Sequence, residues 1–320
     1  MTLTEILNSP QKEELKAMHT KQIDENLFLI DLQTGGFKSL IASYLIKGTK
    51  TIIIETGPSS SIPNLLSTLK ELNVKYEEVA CVAISHVHID HGGGVGTLLK
   101  SLPNAKVIVH ARGTAHLVNP EKLWLQSQET LEHVAEIFGA PEPVLQDRII
   151  TASDGITIDL GDGVKLQAIE TLGHASHHLS YYYPMCSGMF PGDAAGIYLS
   201  EFQTVIPTSP PPFRLDLALS SLEKLISFEP KVLYYTHFGE ASDAVERLRE
   251  YAKQLKLWMS IVEDGVRKNQ DPSVIRERVL AEDKKMCRMA SFLKSHPIYS
   301  KTAIGNSVQG FIDSAHKTQG

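Results

Sequence analysis

Residues 26 to 54 alternate short apolar runs with polar turns. This pattern predicts strands over 27–30, 39–46 and 51–54, with a turn at 47–50. Leu65, Leu66, Leu69 and Leu72 then recur at helical spacing behind Pro63 and predict an amphipathic helix over 62–73. The continuous apolar run 79–84 reads as a buried strand, and a helix over 95–102 and a strand over 105–109 follow. Over 111–139 apolar residues such as Leu123, Leu131, Val134 and Phe138 recur about every third or fourth position. That helical stretch is longer than a plain connection needs, and it either overhangs a site or simply packs. Strands over 156–160 and 164–169 are joined by the hairpin turn Gly161-Asp162-Gly163, and another strand covers Tyr181-Tyr182-Tyr183.

The segment 197–214, with Pro207, Pro210, Pro211 and Pro212, reads as an irregular loop and a pocket wall. Tyr198, Phe202, Phe213 and Arg214 on it are candidates for substrate contact. A helix with Leu217, Leu222 and Leu225 leads to a strand over 231–235. Beyond Glu240 the texture is wholly helical: one helix marked from Val245 to Val262, a second from Val274 to Leu293 and a third from Ser307 to His316. A short helix is also predicted over 13–19. The chain therefore divides at the sequence level into residues 1–240 and a C-terminal helical extension, 241–320.

At 320 residues, 42% hydrophobic and 21% charged, the composition is that of an ordinary globular protein. A net charge of -6 offers no basic field for phosphate backbones, so no nucleic-acid partner is expected. Cys81, Cys186 and Cys287 lie far apart without a CxxC pair, which suggests free thiols rather than a disulfide framework. No apolar run approaches the length of a membrane span, and the first residues lack a basic-then-apolar leader, so a cytoplasmic location and no membrane partner are expected.

The chemistry concentrates in Ser85-His86-Val87-His88-Ile89-Asp90-His91-Gly92-Gly93-Gly94, directly after the predicted buried strand. Histidine and aspartate are ligands for zinc and similar divalent ions. In an extended or loosely turned segment, residues two apart point the same way. His86, His88 and Asp90 would then share a direction while His91 faces elsewhere, a split that suits two adjacent ions. The glycines would let the backbone turn sharply beneath the ligands.

His86-Val87-His88-Ile89-Asp90-His91 resembles the HxHxDH signature of the metallo-β-lactamase fold. Gly173-His174, Pro191-Gly192-Asp193 and Thr236-His237-Phe238-Gly239 extend the resemblance over roughly residues 24 to 240. It implies an α/β four-layer αββα sandwich with a metal site along one edge. It further implies that His86, His88 and His174 hold one ion, that Asp90, His91 and His237 hold the other, and that Asp193 bridges them. Two divalent ions, zinc first with iron or manganese as alternatives, would activate a water to cleave an ester, thioester, lactone or phosphodiester of a small molecule, and Asp90 would relay a proton. Glu55 stands where most of the family has aspartate. His110, His177 and His178 are left outside the ligand set, the last two as supporting residues. The helical tail resembles the layout of glyoxalase II without a clear counterpart of its basic glutathione-binding residues, and a homodimer interface is an equal role for it. A mononuclear-iron persulfide dioxygenase and a noncatalytic metal-binding scaffold are the alternatives.

Overall fold

A computed structural model describes residues 19–299 and 303–318. The helix predicted over 13–19 lies, but for His19, outside the described residues. The described part contains two large β-sheets packed face to face. One has seven strands in the order β1 (Thr20–Gln22), β2 (Leu27–Asp31), β3 (Ala42–Ile46), β4 (Thr51–Ile54), β5 (Val79–Ala83), β6 (Lys106–His110) and β7 (Ile149–Ala152). Its first four strands are antiparallel and its last four parallel. The other has six strands. They are β8 (Thr157–Gly161), β9 (Val164–Glu170), β10 (Leu179–Tyr183), β11 (Gly188–Phe190), β14 (Val232–Tyr235) and β15 (Gly239–Ser242), ordered β15-β14-β11-β10-β9-β8.

Period-2 patterning decides which residues meet between the sheets. Leu27 and Leu29 of β2, Ile52 and Ile54 of β4, and Leu166 and Ala168 of β9 fill the inter-sheet core together with Tyr44, Tyr181 and Phe190. Their alternates Phe28, Ile30, Ile53 and Ile169 face outward into helical layers. On the first sheet lie α1 (Ile62–Glu71), which buries Ile62, Leu65 and Leu69, and the short α2 (Val95–Leu99). The αββα sandwich follows from this alternation.

The segment 111–139 is helical as expected but broken into α3 (Thr114–Val118), α4 (Glu121–Leu131) and α5 (His133–Phe138). Pro120 stops the first, and Glu132, with φ of 51°, turns the chain between the other two. The segment 197–214 departs from expectation. Its first part is a two-stranded hairpin, β12 (Ile197–Leu199) and β13 (Thr204–Ile206), because β-formers flank a turn closed by Gln203, and the prolines begin only at 207.

Helix α6 (Leu215–Ser227) precedes β14 and β15, and the tail beyond them holds α7 (Ala244–Arg267), α8 (Pro272–Glu282), α9 (Lys284–Ser295) and α10 (Ala303–Thr318). The single helix predicted from Val274 to Leu293 is thus two. Asp283 ends one and caps the other, its carboxylate accepting the N–H groups of Lys285 and Met286. Strands β1, β7 and β15 lie outside the strands read from the sequence. Trp258 of α7 is fully buried and packs near Phe311 of α10, which in turn meets Phe213. The apolar faces of α6 to α10 join the same core cluster as the outer faces of both sheets. Among the described residues no helix is long and apolar enough to cross a membrane.

Candidate metal centre

Four strand ends deliver the candidate ligands to one edge of the sandwich. The loop 85–94 follows β5, His174 follows β9, Asp193 follows β11 and His237 follows β14. Antiparallel pairing sets the end of β9 beside the start of β10 and the end of β11, and parallel pairing brings the end of β14 to the same edge. Cross-sheet hydrogen bonds fasten that edge. Tyr181 Oη donates to the Ile84 carbonyl at 2.7 Å, Leu179 N to Ser85 O at 2.8 Å and Ala42 N to Thr236 O at 2.8 Å.

The ligand loop is a helical turn, not an extended segment. His91 N and Gly92 N both donate to His88 O, at 3.0 and 2.9 Å. Asp90 therefore leaves the direction shared by His86 and His88 and joins His91, as the resemblance implies and simple alternation does not. The glycines also serve a different purpose from the expected one. None of Gly92, Gly93 and Gly94 has positive φ. What forbids a side chain is close approach: a Cβ on Gly93 would sit 2.2 Å from the Ile89 carbonyl oxygen.

All seven predicted ligands converge. His86 Nε2, His88 Nδ1 and His174 Nε2 form a triangle with edges of 2.8, 3.2 and 3.1 Å. Opposite it, His237 Nε2 lies 3.2 Å from His91 Nε2 and 3.6 Å from Asp90 Oδ2. Asp193 stands between the two groups. Its Oδ1 is 3.2 Å from His91 Nε2 and 3.7 Å from His237 Nε2, and its Oδ2 is 3.5 Å from His174 Nε2. Ligand atoms about 2.0–2.1 Å from a tetrahedral zinc stand roughly 3.3 Å apart, so these spacings fit a cation at the centre of each group.

The second nitrogen of most of these rings is already engaged. His174 Nδ1 donates to the Thr208 carbonyl and His237 Nδ1 to the Leu40 carbonyl, each at 3.0 Å, which leaves both Nε2 lone pairs facing the site. Ser85 Oγ contacts His86 Nδ1 at 2.9 Å and His91 Nδ1 at 3.3 Å. Glu55 Oε1 lies 3.4 Å from His91 Nδ1 and accepts Ser85 N–H at 3.1 Å, so the longer side chain still reaches the ligand loop. Convergent nitrogen lone pairs repel one another unless a cation lies between them, and Asp193 Oδ1 is buried with no hydrogen-bond donor. Both features fit metal.

Electrostatics divides the site. Burial lowers the pKa of His86, His88 and His174, that of His88 to about 3, and neighbouring histidines push His86 and His88 further the same way. These rings stay neutral with free lone pairs. Around His91 and His237 burial acts in the same direction, but Asp193, Glu55 and Asp90 beside His91, and Asp90 and Asp193 beside His237, outweigh it and raise both. The carboxyl groups of Asp90 and Asp193 are held below their ordinary range by the facing histidines, His91 foremost, against the opposing effect of burial.

His178 and His110 stay out of the cluster, as expected. His178 Nε2 accepts Asp193 N–H at 3.1 Å and its Nδ1 meets Thr171 Oγ1 at 2.8 Å, fixing the backbone that carries Asp193. Gly192 is held at φ of 53°, where a Cβ would strike the His178 ring at 2.7 Å. His110 instead pairs with Glu170 at 2.7 Å.

None of the four residues expected to touch substrate lines the cavity over the site. Tyr198 is buried beneath Arg247 and stacks on Tyr235, and Phe213 packs on Phe311. Phe202 meets Phe292, and Arg214 pairs with Asp216 at the surface. Thr208 and Pro210–Pro212 form the loop's wall instead. The supporting roles of the Thr208 and Leu40 carbonyls leave no mark in side-chain identity. That of Ser85 had one signal, its place directly before the first ligand.

The fold has counterparts among known proteins. The metallo-beta-lactamase superfamily profile matches residues 38–237. The chain belongs to that superfamily. The metallo-beta-lactamase fold-containing protein ST1585 of Sulfurisphaera tokodaii is 32% identical over 224 residues, 68% of this chain and 80% of the relative. The crystal structure reported for ST1585 from Sulfolobus tokodaii matches with a TM-score of 0.62 and 29% identity, covering 72% of this chain and 86% of that one. A metallo-beta-lactamase family protein from Thermus thermophilus, TTHA1429, is 19% identical with a TM-score of 0.66 and covers 93% of this chain and 95% of its own. That share cannot be reached without the C-terminal helices, so the likeness in fold includes the tail.

Proposed function

We propose that the protein is a hydrolase that uses two divalent cations, zinc first with iron or manganese as alternatives, to cleave an ester-type bond of a small molecule. Asp193 carries the reading. One of its oxygens faces His91 and His237 and the other faces His174, so a single carboxylate spans both ligand groups. His86, His88 and His174 would hold one cation, and Asp90, His91 and His237 the other. When bound, such ions supply Lewis acidity and make a water acidic enough to lose its proton near neutral pH.

The chain's own contribution is preorganisation. Carbonyls of Leu40 and Thr208 hold two imidazoles, and His178 anchors the backbone of Asp193, so these three ligands are oriented by the chain itself. Asp90 retains 26% side-chain exposure against 6% for Asp193 and lines the cavity, which suits its carboxylate to accept a hydrogen bond from the attacking water and orient it. The three cysteines are free, which accords with a reducing cytoplasmic setting.

Metal analysis of the purified protein, with turnover of thioester, lactone and phosphodiester substrates, tests the reading. About two ions per chain are expected, and turnover should vanish in His88→Ala and Asp193→Ala with circular dichroism unchanged. Retained turnover in either variant would sink the proposal. One iron per chain with oxygen-dependent persulfide oxidation would favour the dioxygenase, and bound metal without any turnover a noncatalytic metal-binding scaffold.

A further inference from the structure

Thr208 meets two of the ligands at once. Its carbonyl accepts from His174 Nδ1 at 3.0 Å, and its Oγ1 donates to Asp193 Oδ2 at 3.3 Å. His174 belongs to one ligand group and Asp193 spans both, so a shift at Thr208 is felt in each.

The loop that carries Thr208 has little means of holding itself. Residues 207, 210, 211 and 212 are proline, so from 207 to 212 only Thr208 and Ser209 have an N–H to donate. Neither a ladder nor a helical turn can be built from so few donors. Support comes instead from α10, a hundred residues further along the chain. Ser307, only 2% exposed, donates its hydroxyl to the Pro207 carbonyl at 2.8 Å and accepts the Ser209 N–H at 3.2 Å. The bonded carbonyl belongs to the peptide group before Thr208, and the bonded N–H to the peptide group after it. That second peptide group also carries the Thr208 carbonyl. Because a peptide group is planar, fixing its N–H on Ser307 fixes the direction in which its C=O meets His174. Two further contacts seat the helix on the loop. A Cβ on Gly310 would lie 1.8 Å from the Ser209 carbonyl oxygen, so the backbone of α10 rests directly on that residue, and the ring of Phe311 packs on Phe213 at 4.8 Å.

We propose that Ser307 is a positioning residue of the metal centre. Through the Thr208–Ser209 peptide group it aims the carbonyl that holds His174, and it sets the Thr208 side chain against Asp193. The C-terminal helix thereby acts on ligands it does not touch. The inference rests on the two-cation part of the proposed function and not on the bond cleaved.

The test uses the full chain and two readouts that need no turnover. Zinc affinity is measured by chelator competition. The tautomer of His174 in the metal-free chain is measured by NMR of isotope-labelled histidine, its signals identified through His174→Gln. In the wild type the Nδ1–H form should dominate, because the Thr208 carbonyl accepts that proton. Ser307→Ala should raise the zinc dissociation constant about fivefold or more and shift His174 toward a mixture of tautomers, with the site still filled at saturating zinc. Gln309→Ala, on the exposed face of the same helix, should change neither. If the alanine variant does not fold, Ser307→Cys serves the same comparison, since a thiol is close to a hydroxyl in shape and a weak hydrogen-bonding group. Thr208→Val keeps the carbonyl and drops the hydroxyl, so affinity should fall about fivefold while the His174 tautomer stays.

A Ser307 variant with wild-type zinc affinity and tautomer would overturn the inference whatever its urea midpoint, because the hydroxyl would then only dock α10. Lost affinity with the tautomer unchanged would overturn the path through the Thr208 carbonyl, and unchanged affinity in Thr208→Val the link to Asp193. If the wild type binds no zinc, the two-cation reading falls, and the tautomer arm alone decides whether Ser307 aims His174.

Discussion

Asp283 is the most informative single position outside the metal centre, because Asp283→Asn and Asp283→Ala separate two roles that one carboxylate performs. The residue is only 3% exposed. Its Oδ1 caps α9 through the N–H groups of Lys285 at 2.8 Å and Met286 at 3.4 Å. Its Oδ2 accepts from Gln254 Nε2 at 2.7 Å and Trp258 Nε1 at 2.8 Å, both on α7 and both buried. Alanine removes the cap, a loss of about 1 kcal/mol. It also strands two buried donors at roughly 1–3 kcal/mol each. Allowing for non-additivity among neighbours, the total is about 3–5 kcal/mol.

Asparagine is the sharper probe, because it caps helices about as well as aspartate. If capping were the whole role of Asp283, Asp283→Asn would be neutral. With one oxygen turned to the cap, its amide would face the donors of Gln254 and Trp258, and a loss of about 1–3 kcal/mol follows. Urea unfolding followed by tryptophan fluorescence at fixed metal load measures both variants, with the midpoint falling and the slope unchanged. An asparagine variant within about 0.5 kcal/mol of wild type would refute the argument that this carboxylate joins α7 to α9.

Three further outcomes are expected. Glu55→Gln keeps an oxygen for Ser85 N but takes the negative charge from His91, and metal affinity by chelator competition should fall about 10–100-fold. Gly93→Ala forces a Cβ to 2.2 Å from the Ile89 carbonyl, so the ligand loop must move. Stability should drop by about 2 kcal/mol or more and metal content should fall with it; an alanine variant with full metal content would show that the loop tolerates the shift. Gly310→Ala places a Cβ 1.8 Å from the Ser209 carbonyl oxygen, where α10 docks on the proline loop. Because Ser307 of the same helix lines the cavity and bonds to the Pro207 carbonyl, KM for a good substrate should rise with metal content unchanged.

Much of this site was legible because its first four ligands fall within one short stretch of the chain. His86, His88, Asp90 and His91 follow a run that reads as a buried strand, and the later three occupy positions that the family resemblance marks. The supporting shell was mostly illegible for a physical reason. Backbone carbonyls at Leu40 and Thr208 fix two imidazoles, and a carbonyl is common to every residue. In the fold, period-2 patterning located most strands, but the prolines after Ile206 obscured the β12–β13 hairpin before them. Asp283 lies in the middle of an apolar helical periodicity, where a capping aspartate and a surface aspartate look alike. The aromatic residues of the 197–214 segment were expected at the substrate because a long proline-rich loop follows directly after a ligand. Tyr198 and Phe213 instead serve the core, where burial of an aromatic ring contributes most.

Because ligands are drawn from strand ends between residues 86 and 237, the site has a timetable in biosynthesis. When His86 to His91 leave the ribosome, the carbonyl that orients His174, the carboxylate that spans both groups and the ring of His237 have not been made. The six-stranded sheet that carries them pairs almost wholly after residue 157. Contacts of such long sequence separation close late. The ring nitrogens of His86, His88 and His91 therefore meet those of His174 and His237 only once the later strands have closed the edge of the sandwich.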